Sequence, residues 1–491
     1  MGREPSMQPV ELDEPDPDAP PPAPSLSAAD RWRRIRRRVP ALVAVVLVLA
    51  GMQAVDDAQQ RAARAELAAI PGVVRPVDAD VRVLWTPPAG GGSVLDGITS
   101  GDALVGLLRA ADGSQAVIAI DGVTGERRWT TPLAAPRPTT PQDGSLDPIG
   151  GCERVPEVSD QLLCLVSDTY RLYGDMTVEL VPGTLSRLVV LDPDDGAVLA
   201  DHPAPGAVAF TALPGLAVVA VPVEGGIELL GTDLASGQQR WSTTVVPPPV
   251  TPDEGEDVRA STTLLTTAAG FGVVAATRMT LLDRDGVVVR DDIDARMGFV
   301  VDPESRTLAI LSMTGASLRT TFYGRGPDVV LDGRLVDVSV DDGSVPGLVL
   351  MNDEHVHAYD RDSSVPRWSV PHSMAGNALV VRGRVYLSTS SGVVAVDGRT
   401  GEELWLAPPP ESRSLGALVT DGIHLLSAQQ RPDVAGEVSQ DDWPGVGELA
   451  AYGFDDGREL WRVDLPEDFL GVWSSGSTLV GWGPGRSAVL G

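Results

Sequence analysis

The side chains best placed for chemistry in this sequence are a close histidine pair and a short acidic turn. His355 and His357 alternate along a predicted strand, so both rings could lie on one face and bind zinc. Asp192, Asp194 and Asp195 share one turn, and carboxylates are Ca²⁺ ligands. Zinc needs further ligands, and Ca²⁺ needs about six to eight oxygen atoms. Neither group supplies them, so we predict no metal site and interpret the aspartates as turn-forming residues.

Cys152 and Cys164 are the only cysteines in the chain. Thiols outside the cytoplasm tend to oxidise, and these two would lie across a hairpin, on the first two strands of one sheet. We predict a disulfide between them, with two buried free thiols as the alternative.

No P-loop, kinase signature or G-x-S-x-G turn occurs, so no catalytic residue is assigned. The acidic run 253–257 is interpreted as a solvated loop.

An eleven-residue unit, A-x-D-x-x-T-G-x-x-x-W, recurs along the chain. It is clearest at Ala395–Trp405 and Ala119–Trp129. Weaker copies lie at Gly231–Trp241, Ala358–Trp368, Ala451–Trp461 and Val190–Ala200. A regular repeat first predicts an architecture rather than a chemistry.

Each position of the unit has a physical role. The apolar residues before the aspartate predict a short buried strand, Asp397 and Thr400 can accept backbone N–H groups of the turn, and Gly401 can take the positive φ that closes it. The tryptophan on the next strand would pack across the gap to the neighbouring sheet. The predicted docking residues are therefore Asp121, Thr124, Gly125, Trp129, Trp241, Trp368, Asp397, Thr400, Gly401, Trp405 and Trp461.

The spacing of the unit indicates four-stranded sheets that each end on the tryptophan strand. The predicted sheet ends fall near Trp129, Ala200, Trp241, Arg290, Asp332, Trp368, Trp405 and Trp461. Their intervals are mostly 35 to 50 residues, as in propeller blades. The longest interval contains a predicted insertion loop at 170–184, and the region 291–343 fits the repeat worst.

The two ends of the chain complement each other. The last two predicted strands, 477–480 and 487–490, lack a tryptophan strand, whereas VRVLWTP at 81–87 resembles one with nothing before it. We expect the N-terminal strand to complete the last sheet and close the ring, which leaves no unpaired sheet edge at the join.

These residues resemble the tryptophan-docking repeat of the PQQ-like (quinoprotein alcohol dehydrogenase-like) β-propeller superfamily, over roughly residues 77–491. The resemblance implies an all-β, eight-bladed propeller of four-stranded blades, with seven to nine blades possible; the sheet ends plus the closing sheet add up to nine. Similarity to the dehydrogenases of the superfamily would imply a quinone, a Ca²⁺ ion, a catalytic aspartate and adjacent cysteines. The two cysteines here are not adjacent, and we assign no cofactor.

The net charge of the chain is −30, and all 38 basic residues are arginines. Residues 1–38 are neutral, so the whole charge belongs to the part after the hydrophobic segment. Nucleic-acid binding is disfavoured, because a binder needs a basic face to neutralise phosphates.

The N-terminal residues predict a membrane anchor. Residues 1–38 are interpreted as a disordered cytoplasmic tail that ends in the basic run 31–38. Val39–Val55 is a 17-residue apolar run, which predicts a short transmembrane helix, and the arginines before it place the N-terminus in the cytoplasm. A cleaved signal peptide is the alternative to this uncleaved signal anchor. Residues 56–76 would form a stalk or linker, and 77–491 the propeller.

We expect a single-pass protein of the cell membrane whose propeller lies outside the cytoplasm. Propellers offer loops on two rims and a central channel, so a scaffold that binds protein partners or a small ligand is the first interpretation. The alternative is a PQQ-dependent oxidoreductase of alcohols or sugars. A sensor that signals through its tail is disfavoured, because the first 38 residues cannot hold a catalytic or DNA-binding domain.

Trp405→Ala is expected to lower the thermal stability of the propeller, because the tryptophan has a structural role. The variant is not expected to lose a specific binding or catalytic activity. Thermal denaturation of the variant and the wild-type protein checks this. An unchanged melting temperature would refute the docking role.

Overall fold

Short strands separated by turns make up nearly all of the described chain. The computed structural model describes residues 64–95, 98–136, 146–157, 161–173, 178–246, 262–275, 277–302, 305–315, 317–324, 326–361, 363–409, 414–432, 445–466 and 469–491. The predicted tail 1–38, the predicted membrane helix Val39–Val55 and the acidic run 253–257 lie outside these residues. Among the residues described, no helix has the length and apolar character needed to cross a bilayer.

The first strand, β1 (Val83–Trp85), is followed by a 3₁₀ helix (Gly92–Leu95) and then by the blades in chain order. Blade 1 comprises β2 (Thr99–Ser100), β3 (Ala103–Arg109), β4 (Gln115–Asp121) and β5 (Arg127–Ala134). Blade 2 comprises β6 (Leu146–Arg154), β7 (Leu162–Tyr173), β9 (Ser186–Leu191) and β10 (Val198–Pro203), with β8 (Val178–Val181) paired to β7. Blade 3 comprises β11 (Ala209–Leu213), β12 (Leu216–Val223), β13 (Gly226–Asp233) and β14 (Gln239–Val245).

Blades 4 to 6 follow. Blade 4 comprises β15 (Thr263–Thr267), β16 (Gly270–Ala275), β17 (Arg278–Leu282) and β18 (Val288–Asp294). Blade 5 comprises β19 (Phe299–Val301), β20 (Leu308–Thr314), β21 (Ser317–Tyr323) and β22 (Val329–Asp332). Blade 6 comprises β23 (Arg334–Leu335), β25 (Leu348–Asn352), β26 (Val356–Asp360) and β27 (Pro366–Val370), and β24 (Val338–Asp341) leaves it to join blade 7.

Blades 7 to 9 complete the ring. Blade 7 comprises β28 (Met374–Val381), β29 (Arg384–Thr389), β30 (Gly392–Asp397) and β31 (Glu403–Ala407). Blade 8 comprises β32 (Ser414–Thr420), β33 (Leu425–Pro432), β34 (Gly445–Tyr452) and β35 (Glu459–Asp464). Blade 9 comprises β36 (Gly471–Ser475), β37 (Thr478–Gly483) and β38 (Arg486–Leu490), with β1 as its fourth strand.

The described residues thus form nine sheets, and the prediction of eight blades was wrong. The eight predicted sheet ends each fall on the last strand of a blade, and the predicted closing strand is the last strand of the ninth. The region 291–343, where the repeat is weakest, holds all of blade 5 and the first strand of blade 6. Blade 5 has lost the docking turn but keeps four paired strands, because pairing needs alternating strands and turns rather than this one motif.

Burial within a blade explains the apolar pattern of its strands. In β30, Val393 to Val396 are all completely buried, because the middle strands of a blade are covered on both faces by neighbouring blades. In β14, partly buried and exposed residues alternate, because an outermost strand is covered on one face. The core of the molecule therefore lies between blades.

Buried apolar clusters join most neighbouring blades. One cluster spans blades 2 to 4, and further clusters join blades 1 and 2, 4 and 5, 6 and 7, 7 and 8, 8 and 9, and 9 and 1. Within the described residues, no such cluster joins blades 5 and 6. Hydrophobic burial along these contacts supplies most of the force that holds the ring together.

The N-terminal strand closes the ring as predicted. β1 pairs antiparallel with β38, with Val83 opposite Leu490, and Arg82 and Gly491 exchange two backbone hydrogen bonds of 3.1 Å. Strand β38 consequently has a partner on each side, and β1 becomes the outermost strand of blade 9.

Residues 64–77 pack on the propeller just before this strand. Leu67 and Val73 are buried in the cluster of blades 7 and 8. The N–H of Val74 donates to the carbonyl of Thr420, and that of Val77 donates to the Asp421 carboxylate at 3.1 Å. This part of the predicted stalk therefore runs over turns of blades 8 and 9.

Two irregular strands were not predicted. Within the predicted insertion loop 170–184, the described residues of β8 pair antiparallel with the end of β7. Strand β24 leaves blade 6 and pairs in parallel with β28 of blade 7, Val338 opposite Ala378, before the chain returns to blade 6.

Deleting residues 1–85 is expected to lower the melting temperature and promote self-association, because β38 would keep an unpaired edge. Deleting residues 1–63 is the matched control, since it leaves β1 and residues 64–77 in place. Thermal denaturation and size-exclusion chromatography check this. Equal stability of the two truncated proteins would show that β1 is not needed for closure.

Candidate functional site: the seams between blades

The tryptophan of one blade binds the turn of the next blade, at a contact that we call a seam. At four seams the indole Nε1–H donates to the carbonyl oxygen one residue after the aspartate position of the motif. The pairs are Trp85 to Gly122 at 3.3 Å, Trp241 to Arg284 at 3.0 Å, Trp368 to Gly398 at 2.9 Å and Trp405 to Phe454 at 3.1 Å. The buried part of the ring thus has its one donor satisfied.

The ring lies on the motif glycine of the next turn. Gly401 has φ of 73°, and a Cβ there would come within 2.7 Å of the Trp368 ring. The same contact recurs for Gly125 on Trp85, Gly196 on Trp129, Gly286 on Trp241 and Gly457 on Trp405. Two constraints therefore require glycine: the positive φ of the turn and the tryptophan packed against it.

The aspartate of the motif holds the turn. Asp397 Oδ1 accepts the N–H groups of Arg399 at 3.0 Å and Thr400 at 2.8 Å, and the turn N–H donors lower the pKa of this carboxyl. In blade 1, Asp121 also accepts a hydrogen bond of 2.7 Å from Arg128, whose guanidinium is the main cause of a pKa far below the usual range. These carboxylates are therefore charged at neutral pH.

The first residue of the motif is small because the tryptophan of its own blade lies opposite it. Ala395 is paired with Trp405, and Gly231 with Trp241, where a Cβ on the glycine would come within 2.2 Å of the ring. Trp129, Trp368 and Trp461 likewise face Ala119, Ala358 and Ala451. The sequence showed this alanine only as part of a buried strand, not as a contact of the tryptophan.

Blade 2 uses a histidine that the sequence analysis missed. Ala200 occupies the tryptophan position, opposite Val190. Two residues later, His202 Nε2 lies 2.9 Å from the carbonyl oxygen of Leu234, and its ring packs on Gly237 as a tryptophan does elsewhere. The available signal was the strand period of two, which puts residues 200 and 202 on one face.

Trp461 differs from the other predicted docking tryptophans. Its ring contacts His424 of its own blade, edge to face, at a centroid distance of 6.1 Å. Blade 9 has no covalent turn between its third and fourth strands, because these come from opposite ends of the chain. The turn that would receive Trp461 is therefore missing.

The seam between blades 4 and 5, seam 4/5, has an arginine in the docking position. Arg290 Nη2 lies 3.0 Å from the Asp328 carboxylate, and its guanidinium lies 5.7 Å from the centre of the Tyr323 ring. Next to it, Asp291 and Asp292 form a bulge opposite Thr280, with Asp292 at φ of 54°. The predicted end of blade 4 at Arg290 thus marks a seam that lacks an indole.

A groove of about 590 Å³ remains open at this seam. Residues 289–294 of β18 form one wall, and Ser312, Thr321 and Tyr323 of blade 5 form the other, above the buried Ile310. A smaller cavity of about 320 Å³ adjoins it and shares Val289, Arg290 and Tyr323. Leu281 and Leu308, which belong to the buried cluster of blades 4 and 5, line the smaller cavity.

The predicted disulfide is present. Cys152 on β6 lies directly opposite Cys164 on β7, with their Cα atoms 4.0 Å apart and their sulfur atoms bonded. The two strands are the first and second of blade 2.

The other candidate residues make local contacts. His357 Nε2 lies 3.2 Å from the Asp353 carboxylate, and the His355 ring lies beside the His357 ring. Asp192 accepts the N–H of Asp194 at 2.8 Å, as a turn residue does.

A carboxylate with a raised pKa lies where the innermost strands of blades 2 to 4 meet. Burial raises the pKa of Glu153 to about 7, although the N–H of Ala212, the hydroxyl of Thr211 and the charge of Arg306 oppose this. Thr211 also contacts the Thr266 hydroxyl at 2.8 Å. These three innermost strands are thus joined by one polar network.

The sequence matches one family profile over residues 71–370 and 328–421, and its description is outer membrane protein assembly factor BamB. The chain belongs to this family of PQQ-like β-propellers. No curated protein matches the sequence.

Solved structures similar to this BamB-family chain are distant. BamB from Moraxella catarrhalis is 13% identical, and the match covers 84% of this chain and 99% of that one with a TM-score of 0.34. The designed protein Ika8 (14% identity, 65% and 94% coverage, TM-score 0.35) and the WD40 domain of SCAP from fission yeast (10% identity, 68% and 93% coverage, TM-score 0.31) also match. TM-scores this low carry no argument about function.

The quinone and Ca²⁺ of the dehydrogenases in this superfamily do not fit the described part of the chain. It contains no group of three or more His, Cys, Asp or Glu side chains that could hold a metal ion. The disulfide joins cysteines twelve positions apart rather than adjacent ones. We therefore derive no step through a quinone.

Stability is expected to depend on the ionisation of Glu153. A carboxyl whose pKa rises from 4.5 to about 7 on folding binds its proton more tightly in the folded state. Stability from this group is therefore full at low pH and falls as the pH rises through that interval, by about 1–2 kcal/mol after allowance for its partial exposure. Glu153→Gln should flatten this dependence.

Melting temperatures from about pH 5 to about pH 8 check this for the wild-type protein and Glu153→Gln. The exposed Glu126→Gln is the matched control, because it removes one negative charge without touching a buried group. Parallel pH profiles for all three proteins would contradict the role of Glu153.

Proposed function

We propose that this protein is a membrane-anchored scaffold whose propeller lies outside the cytoplasm and binds protein partners. The observation that carries the proposal is the family match across residues 71–421, because the family is described by an assembly factor. The ring itself offers a rigid support, since buried clusters join most neighbouring blades and β1 pairs with β38 at the closure.

Two further features support a location outside the cytoplasm. The Cys152–Cys164 disulfide is typical of proteins in oxidising compartments. The apolar run Val39–Val55 follows a basic run, as in an anchor with a cytoplasmic N-terminus.

Leu199→Cys tests this placement, because Leu199 is half exposed on the outermost strand of blade 2. We expect a membrane-impermeant maleimide to label this thiol in cells whose outer layers have been removed and whose cytoplasmic membrane is intact. A cytoplasmic cysteine protein is the control that must stay unlabelled. Labelling that appears only after lysis would overturn the location.

Chemical crosslinking of the full chain in native membranes tests the scaffold function. We expect a discrete crosslinked complex that contains this chain and a second protein in reproducible proportion. Recovery of the chain alone, under conditions that crosslink a known membrane complex, would overturn the scaffold function.

A further inference from the structure

We propose that the groove at seam 4/5 is a docking site for a segment of a partner protein that carries an aromatic side chain next to a lysine or arginine. The inference rests on the proposed scaffold function and names the surface through which one partner binds. It starts from what the other seams contain.

At the other seams with a docking residue, a flat ring from the outermost strand fills the space against the next blade. Trp241 does so on Gly286, and His202 on Gly237. At seam 4/5 Arg290 occupies this position and reaches Asp328, but the groove beside it stays open. The space that a ring from the outermost strand fills at those seams is thus left open at seam 4/5.

The size and lining of the groove fit a side chain with its flanking backbone. A volume of about 590 Å³ lies within the usual range of ligand sites, and the neighbouring cavity of about 320 Å³ extends it inwards. Ile293 and Ile310 supply apolar surface, and Ser312, Thr321 and Tyr323 supply hydroxyl groups. Val289 at the mouth is 55% exposed, and Val330, on the strand paired with β21, is 53% exposed.

The charge of the lining argues for a cation on the partner. Three charged residues of the lining already have ion-pair partners at 2.7 to 3.3 Å. Asp292 pairs with Arg278, Arg290 with Asp328, and Asp294 with Arg296. Asp291 lines the groove and has no ion-pair partner among the described residues. The net charge of −30 further favours approach of a basic segment.

The open groove is not needed to hold blades 4 and 5 together. Met279, Leu281, Leu308 and Ile310 form a buried cluster between blades 4 and 5. The partner segment would therefore add to a seam that is already stable, and binding would not require the ring to open.

A peptide with this chain's own docking strand, residues 239–245, is the probe, because it places Arg240 next to Trp241. Fluorescence polarisation with the labelled peptide and the full chain should give saturable 1:1 binding. Peptides with Trp241→Ala or Arg240→Glu should bind at least tenfold and several-fold more weakly, respectively. Absence of saturable binding up to about 1 mM peptide would overturn the proposal.

Variants of the protein locate the binding. Arg290→Trp restores the repeat's own docking residue and should reduce peptide affinity at least tenfold, and Asp291→Asn should reduce it about two- to fivefold at low salt. Leu199→Trp, which adds an exposed indole on blade 2, is the matched control and should bind normally. If Arg290→Trp does not fold, Thr321→Trp fills the groove from the opposite wall. Unchanged affinity in the folded filled variant would overturn the site.

The same variants separate this inference from the proposed scaffold function. A partner that crosslinks equally well to wild-type and Arg290→Trp protein in native membranes would overturn the groove and leave the scaffold function standing. Loss of the crosslinked partner in Arg290→Trp, with normal melting temperature and a normal Leu199→Trp control, is the expected result.

Discussion

The contact between an indole ring and a glycine turn fixes how neighbouring blades meet at five of the described seams. Hydrophobic burial holds neighbouring blades together, but it has no direction and leaves their angle free. The Nε1–H of Trp405 and the carbonyl of Phe454 fix one point of a seam, and the close approach of the ring to Gly457 fixes a second. Because the last blade must meet the first, each of these local angles contributes to whether β1 reaches β38.

The seams are not equivalent, and the differences follow from what each one must do. Most have a tryptophan in the docking position and one has His202, whereas seam 4/5 has an arginine that forms an ion pair and leaves a groove open. In the described residues no buried apolar cluster joins blade 5 to blade 6, and β24 leaves the chain of blade 6, between β23 and β25, to pair with blade 7. Because the other seams hold the ring closed, the groove at seam 4/5 and the strand exchange of β24 can be present without opening it.

Much of this architecture could be predicted because its signals are local. Each of these features depends on residues that are close together in the sequence: the alternation within a strand, the residues of a turn, and the position of a sheet end. This holds even at Arg290 and Asp332, where the repeat is degenerate. The blade number was wrong only because the family expectation of eight was preferred to the nine sheets that the eight sheet ends and the closing strand together indicated. The spacing predicted a sheet end at Asp332, in blade 5, although the turn motif is absent there.

The missed features all depend on pairs that are far apart in sequence. His202 docks on Gly237 of another repeat, β24 pairs with a strand that begins 33 residues after β24 ends, and Arg290 meets Asp328 of the next blade. A single sequence shows the residue types but not which distant residue each one meets. The groove at seam 4/5 was invisible for the same reason, since it consists of space between two sheets.

The path of β24 has a consequence for the order in which the chain can fold. Blades made of consecutive hairpins can pair as soon as they leave the ribosome, because their contacts are local. Strand β24 cannot pair until β28 has been synthesised, and blade 6 is completed in the same interval. This pairing therefore links the completion of blade 6 to that of blade 7, while β1, the first of the described strands to be made, cannot pair until β38, the last of them, has been made.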